Sequence, residues 1–275
     1  MSIKCIALDL DRTTLNAKGE LSAGNFAALS DAIKKGVHIV IASGRSFDTL
    51  PKDVLAVPGI EYAITSNGAA VYHIPTKQCI HEYKMTPSSV KKIVSIASSY
   101  PVALEVFING VAYAFKDYVD DPVSFGTTPA AVAYIQSTRN PVPDLTAYID
   151  EHIDQIDSMD IVVSDAKIKK ELWTKFETDC NDIYITSSFS QLIEMSHKNA
   201  GKHSGLRFIR DYLGLKKEET AAFGDGDNDI DLLKEAGIGI AMENASPRCK
   251  EAATYVTTNH DEDGVAYGIA KILKI

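Results

Sequence analysis

The chain of 275 residues is short of the residues that make covalent or metal staples. Its four cysteines, Cys5, Cys79, Cys180 and Cys249, lie far apart and form no C-x-x-C pair. That pattern gives neither a zinc site nor a redox dithiol, and it reads as reduced thiols in a cytoplasm. No uninterrupted apolar stretch reaches the length of a bilayer span, and the apolar run in the opening MSIKCIALDLDR is too short for a signal peptide. The single tryptophan, Trp173, sits in an amphipathic helical pattern, where core packing accounts for it better than a ligand platform. Positive charge is scarce as well: 28 Lys and Arg against 37 Asp and Glu leave a formal net charge of −9. Phosphate backbones and anionic membrane surfaces are repelled on average, so neither nucleic acid nor membrane is an expected partner. What is present, 45% hydrophobic and 24% charged residues, suits a globular chain able to bury a sizeable core in one large domain or two modest ones.

Strand and helix signals alternate at the start. IKCIALDLD and VHIVIAS are short β-branched runs typical of buried strands, and between them SAGNFAALSDAIKKG has a Ser N-cap and a Gly stop. SFDTLPKDVLAV predicts a helix broken or started at Pro51, and EYAITSNGAAVY places a Ser-Asn-Gly turn between two strands. Such alternation predicts a parallel sheet with helices on its faces. The middle differs: ALEVFINGVAYAF reads as a hairpin turning at Asn109-Gly110, and DIVVSD, IYITSS and QLIEMS read as strands around one good helix, IKKELWTKFETDC. That mixture predicts an α+β unit with an antiparallel sheet. From GKHSGLRFIRDYLG onward the α/β alternation returns, so the expected fold class is α/β: one parallel-sheet domain in two halves, split by an inserted α+β domain.

In an open parallel sheet, ligands bind beyond the carboxyl ends of the strands. IALD ends at Asp9 and Asp11, IVIAS at Ser43 and AAFGD at Asp225, which offers these four as one constellation. Asp9 and Asp11 would face opposite ways on a continued strand, so a turn must begin near Asp9 for both to serve one site. The stretch FGDGDNDIDLL crowds Asp225, Asp227, Asp229 and Asp231 together and calls for positive charge. A calcium loop does not explain it, since Ile230 and Ala236 stand where Gly and Glu are needed. GDGDND also lacks the third glycine of a dinucleotide fingerprint. Oxygen-only ligands favour Mg²⁺ over zinc, and an aspartate here could act as a carboxylate nucleophile on phosphorus.

Taken in order, DLDRTTL, IASGRS, SNGA, EMSHKNAGKHSGL, GDGDND and DEDGVAYGI resemble the motifs of the haloacid dehalogenase (HAD) superfamily, in particular its Cof-type phosphatases with a C2 cap. The resemblance runs the length of the chain. It implies a Rossmann-like HAD core at residues 1–83 and 194–275, with an inserted C2-type α+β cap at 84–193 that closes over the substrate. It implies Asp9 as nucleophile and Asp11 as general acid and then base. It further implies Ser43 and the Gly44 amide as phosphate-binding groups, together with Lys202 and Asn228. Lys202 would also neutralise the nucleophile. Mg²⁺ would be held by Asp225, Asp9 and the main-chain carbonyl of Asp11, with Asp229 in support. Asp227 and Asp231 match no motif role; Asp231 reads as a first-turn acid favoured by the helix dipole. Arg45 fits either a phosphate contact or a carboxylate pair, and Asn67 fits either the cleft or a plain turn. Arg12 departs from the motif, which has Gly there. The activity expected is Mg²⁺-dependent hydrolysis of a small-molecule phosphate ester, a sugar phosphate foremost, through an aspartyl-phosphate, in the cytoplasm. A phosphomutase with the same intermediate and a non-catalytic phospho-accepting or binding protein are the alternatives.

Overall fold

A computed structural model describes residues 2–275. Before the insert come strands β1 (Cys5–Leu8), β2 (His38–Ala42), β3 (Tyr62–Thr65), β4 (Ala70–His73) and β5 (Gln78–Glu82). The insert holds β6 (Ala103–Ile108), β7 (Val111–Phe115), β8 (Asn140–Val142), β9 (Ile156–Val162), β10 (Ile183–Thr186) and β11 (Leu192–His197). After it come β12 (Thr220–Gly224), β13 (Ile238–Ala241) and β14 (Tyr255–Val256). The chain packs as two units: one comprises the chain up to Arg45, Leu50–Glu82 and Gly201–Ile275, the other Ser46–Thr49 and Tyr83–Ala200. The border drawn from sequence at 193/194 falls inside β11. That strand pairs with β9 and β10, so all of it belongs to the second unit. Among the described residues no helix is long and apolar enough to cross a membrane.

The first unit is an eight-stranded sheet in the order β14-β13-β12-β1-β2-β3-β4-β5, parallel from β14 to β3 and antiparallel thereafter. The central strands β1, β3 and β12 are buried along their whole length, as runs without apolar/polar alternation require. Ser22 caps the first helix, Ala23–Lys34, by accepting from the Asn25 amide, and Gly36 ends it in the left-handed region at φ 83°. Pro51 starts a helix rather than breaking one, since Lys52–Leu55 follows it. The order matters more than these details. From β1 the chain builds outward on one side through β2 and β3; after the insert it returns to the other side of β1 as β12. The gap between the carboxyl ends of β1 and β12 is therefore a topological switch point, where a crevice must open.

The second unit is a mixed sheet in the order β10-β11-β9-β6-β7-β8. The Asn109-Gly110 turn joins β6 to β7 with both residues at positive φ, 50° and 79°, as its sequence predicts. The one helix read from sequence, Ala166–Asp179, is joined by Pro87–Ala97, Lys116–Asp120, Val132–Thr138 and Leu145–Glu151. The last three of these are five to seven residues long, too short for a 3.6-residue period to show. One face of the sheet carries Val106, Met159, Ile161, Ile193 and Met195 into an apolar core with Val90, Ile93, Leu172 and Phe176. Across β6, β9 and β11 the register sets Glu105, Asp160 and Glu194 side by side, all buried. Glu105 is satisfied by Tyr118 Oη (2.9 Å) and by Arg139 through Nε (2.9 Å) and Nη2 (2.6 Å). Glu194 accepts the Ser188 amide. Burial, then the two neighbouring glutamates, hold the Asp160 carboxyl well above the ordinary carboxylate range.

A carboxyl that keeps its proton in the native state while the unfolded chain releases it makes stability fall as pH rises from about 4. Asp160→Asn therefore gains stability relative to the parent as pH rises, with the difference larger at pH 8 than near pH 4. Denaturant midpoints of the two proteins across this pH range give the comparison. Parallel profiles would show that Asp160 is not held protonated.

Candidate active site

Two turns build the site, both at the switch point of the first unit. The first begins where β1 stops. The Asp9 amide still donates to the Phe223 carbonyl of β12 (3.1 Å), and then the chain leaves the sheet. Asp9 and Asp11 are extended, and Arg12 between Asp11 and Thr13 is left-handed at φ 60°, ψ 16°. Thr14 Oγ1 closes the turn by donating to the Asp9 carbonyl (2.6 Å). The turn that sequence demanded for Asp9 and Asp11 is present. Its left-handed residue explains why glycine is the motif residue at position 12; an L side chain there costs roughly 1–2 kcal/mol in backbone strain.

The second turn follows β12. Asp229 organises it: its Oδ2 accepts the amides of Asp225 and Gly226 (both 3.0 Å), and its Oδ1 accepts Lys202 Nζ (2.7 Å). Lys202 donates in turn to Asp9 Oδ1 (2.6 Å). Lys202 opens the helix Lys202–Tyr212, and its side chain is fully buried. The Ser66–Gly68 turn sets its position. The Gly201 amide donates to the Asn67 carbonyl (2.9 Å), and a Cβ on Gly68 would lie 2.1 Å from the Gly201 carbonyl oxygen. Only glycine allows that approach, which is the physical content of the SNG signal. Asn228 Nδ2 donates to Asn67 Oδ1 (3.0 Å) and ties this turn to the acidic one.

One oxygen from each of Asp9, Asp225 and Asp229 lies within 4.8 Å of the others, and all three residues are buried. Burial comes first, followed by the neighbouring carboxylates, in pushing the acids of Asp9 and Asp225 above their ordinary range. Burial works against the charge of Lys202, but Asp229 and Asp9 outweigh it and hold the ammonium above its ordinary value. Three buried carboxylates thus share one buried cation. An all-oxygen set with excess negative charge fits a hard divalent ion such as Mg²⁺. Asp9 meets Lys202 through one oxygen, and the contacts on the Asp225 carboxylate are longer: Thr13 Oγ1 at 3.2 Å and Asn244 Nδ2 at 3.5 Å. Asp229 spends both of its oxygens on Lys202 and the turn.

The Asp11 carboxylate lies outside the acidic cluster. Arg45 holds it through Nε (2.9 Å) and Nη2 (2.6 Å), which makes Arg45 a carboxylate partner here. Ser43 is buried after β2, its Oγ accepting the Arg45 amide (3.2 Å), and Gly44 is half-buried beside it. Asp227 is structural: Ser246 Oγ (2.7 Å) and Arg248 Nη1 (2.8 Å) donate to its two oxygens. Asp231 lies in the first turn of the helix Ile230–Glu235, as expected. Two participants were missed. Thr13 Oγ1 donates to Asp225 Oδ1 (3.2 Å), a contact the DLDRTTL motif could have suggested. Asn244 Nδ2 donates to the Arg12 carbonyl (2.8 Å) from 232 residues away, and no local sequence signal marks it.

A family model of haloacid dehalogenase-like hydrolases matches residues 6–269. Phosphatase YwpJ of Bacillus subtilis (strain 168) is 29% identical over 289 residues, covering 98% of this chain and 100% of that protein. The 5-amino-6-(5-phospho-D-ribitylamino)uracil phosphatase YwtE of the same organism is 29% identical over 290 residues, covering 98% of each. Among solved structures, a haloacid dehalogenase-like hydrolase from B. subtilis superposes with a TM-score of 0.87 at 28% identity, covering 98% of this chain and 100% of that one. With the two acidic turns meeting at one buried lysine on a sheet of this order, the chain belongs to the haloacid dehalogenase-like hydrolases and is a phosphatase of that superfamily.

Proposed function

We propose that the protein is a Mg²⁺-dependent phosphatase of small phosphorylated metabolites, sugar phosphates foremost, and that it carries the phosphoryl group on Asp9 during turnover. The observation that supports this most is the Asp9–Lys202–Asp229 chain of contacts beside Asp225 at the switch point. The names of two relatives, both 5-amino-6-(5-phospho-D-ribitylamino)uracil phosphatases, include a phosphorylated polyol chain, which supports a polyhydroxylated substrate.

In this reading one Asp9 oxygen attacks phosphorus as the bond to the leaving oxygen breaks, and the departing oxygen takes a proton from Asp11. Water then attacks the phosphorus of the aspartyl-phosphate, Asp11 takes the water's proton, and phosphate leaves with Asp9 restored. Lys202 lowers the charge on the attacking carboxylate and the phosphoryl oxygens, and Asp229 keeps Lys202 aimed. Ser43, the Gly44 amide and Asn228 would hold the remaining phosphoryl oxygens. Arg45 donates to both Asp11 oxygens, so in this reading the acid–base role has that pair open on at least one side during turnover. Asp9, Asp225 and the main-chain carbonyl of Asp11 would bind Mg²⁺, which supplies charge cancellation where a carboxylate approaches a phosphate dianion.

Turnover should vanish in EDTA and return with Mg²⁺, and Asp225→Asn should raise the Mg²⁺ requirement sharply. Full activity in metal-free buffer would remove the metal from the mechanism. Lys202→Ala should lower turnover at least about a hundredfold, the scale for one preorganised charge-stabilising group. Unchanged kinetics in a folded Lys202→Ala protein would take Lys202 out of the reaction.

The two first-turn aspartates should separate cleanly. Asp9→Asn should abolish catalysis. Asp11→Asn, given an aryl phosphate whose leaving group needs no proton, should still phosphorylate Asp9 and then release phosphate very slowly. Intact mass would show the added phosphoryl group, and borohydride trapping would place it. A label on Asp11 would reverse the roles. Isomer formation in place of free phosphate would mark a mutase.

A further inference from the structure

We infer that Arg12 is a built-in counter-cation of the carboxylate cluster, held through Asn244, and that it competes with the divalent metal for Asp225. The inference rests on the metal-dependent reading above and concerns a residue that reading leaves without a role.

Arg12 Nε lies 3.7 Å from Asp225 Oδ2, with the arginine side chain 49% exposed and that of Asp225 9% exposed. The side-chain hydrogen-bond donors to the Asp225 carboxylate are neutral: Thr13 Oγ1 at 3.2 Å and Asn244 Nδ2 at 3.5 Å. Lys202 spends its contacts on Asp9 and Asp229. Among the described residues Arg12 is therefore the cation paired with Asp225. Its placement is built. Asn244 Nδ2 donates to the Arg12 carbonyl (2.8 Å), the Asn244 carbonyl accepts Arg12 Nη2 (3.5 Å), and Asn244 Oδ1 is itself fixed by the His260 amide (3.1 Å). The left-handed backbone at φ 60° is a strained state for an arginine, and it is held although glycine would relieve it.

Charge sets the consequence. Without metal, Arg12 offsets part of the repulsion among Asp9, Asp225 and Asp229. A divalent ion on Asp9 and Asp225 meets the guanidinium at short range, so the ion and Arg12 exclude one another in part. Half of the arginine is in water, and its long stem lets the head swing outward. The competition is therefore screened and modest, a factor of about three to ten in metal affinity.

The test is Mg²⁺ binding by titration calorimetry to the full chain and to Arg12→Gln, Arg12→Gly and Arg12→Lys, with melting temperatures in EDTA and in saturating Mg²⁺. Arg12→Gln and Arg12→Gly should both bind Mg²⁺ about threefold to tenfold more tightly than the parent, and Arg12→Lys within about twofold of it. In EDTA, Arg12→Gln should melt below the parent, and saturating Mg²⁺ should close that gap. If Arg12→Gln fails to fold, salt decides with Arg12→Gly: a gain from charge shrinks as KCl rises, and a gain from backbone relief does not. Tighter binding by Arg12→Gly alone overturns the inference in favour of backbone strain. Equal affinities in parent and variants overturn it and leave the metal reading intact. If neither parent nor variants bind Mg²⁺, both fall.

Discussion

The buried ammonium of Lys202, bonded at once to Asp9 and Asp229, is the contact on which the site depends. Asp229 holds the turn that presents Asp225, and Asp9 ends the strand beside it. Without the lysine, three carboxylates would face one another out of water, a state that burial alone makes costly. The fold is arranged to deliver this one side chain: the Gly68 turn packs against Gly201, and the helix that begins at Lys202 starts from that packing. Acidic turn, glycine turn and lysine helix come from distant parts of the chain and are mutually required.

The cluster remains under-compensated by one lysine, and that imbalance links structure to chemistry. The carboxyls of Asp9 and Asp225 sit above their ordinary range because water is excluded and like charges are near. A hard cation relieves both, and a phosphate dianion approaching the same place adds to the demand for positive charge. Arg12 and Arg45 stand at the edge of this field, each paired with an aspartate.

The insert shows the same problem solved in another way. Its sheet carries three acids in one row, and one of them, Glu105, is met fully by Arg139 and Tyr118. Asp160, next in the row, is pushed by burial and its two glutamate neighbours well above the ordinary carboxylate range. In the first unit the answer is a cation; in the second it is partly an arginine and partly a carboxyl that holds its proton more tightly.

Much of this was legible from residue order. Short β-branched runs ending in Asp9, Ser43 and Asp225 marked the carboxyl ends of parallel strands, because a buried strand has to be apolar and a site has to lie at its end. The motif string singled out Asp9, Lys202 and Asp225, three residues that the structure brings together, and Asn109-Gly110 marked its hairpin because few residues accept two left-handed positions. The short helices of the insert were not legible, since five to seven residues are too few to show a period. Sequence also could not choose a partner for Arg45, or show that Asp229 spends both its oxygens on Lys202 and its own turn, or bring Asn244 to Arg12. Those outcomes depend on contacts between residues that are far apart in the chain. Local preference determined which groups stand at strand ends; only the packing of the sheet and its turns decided which of them share a charge.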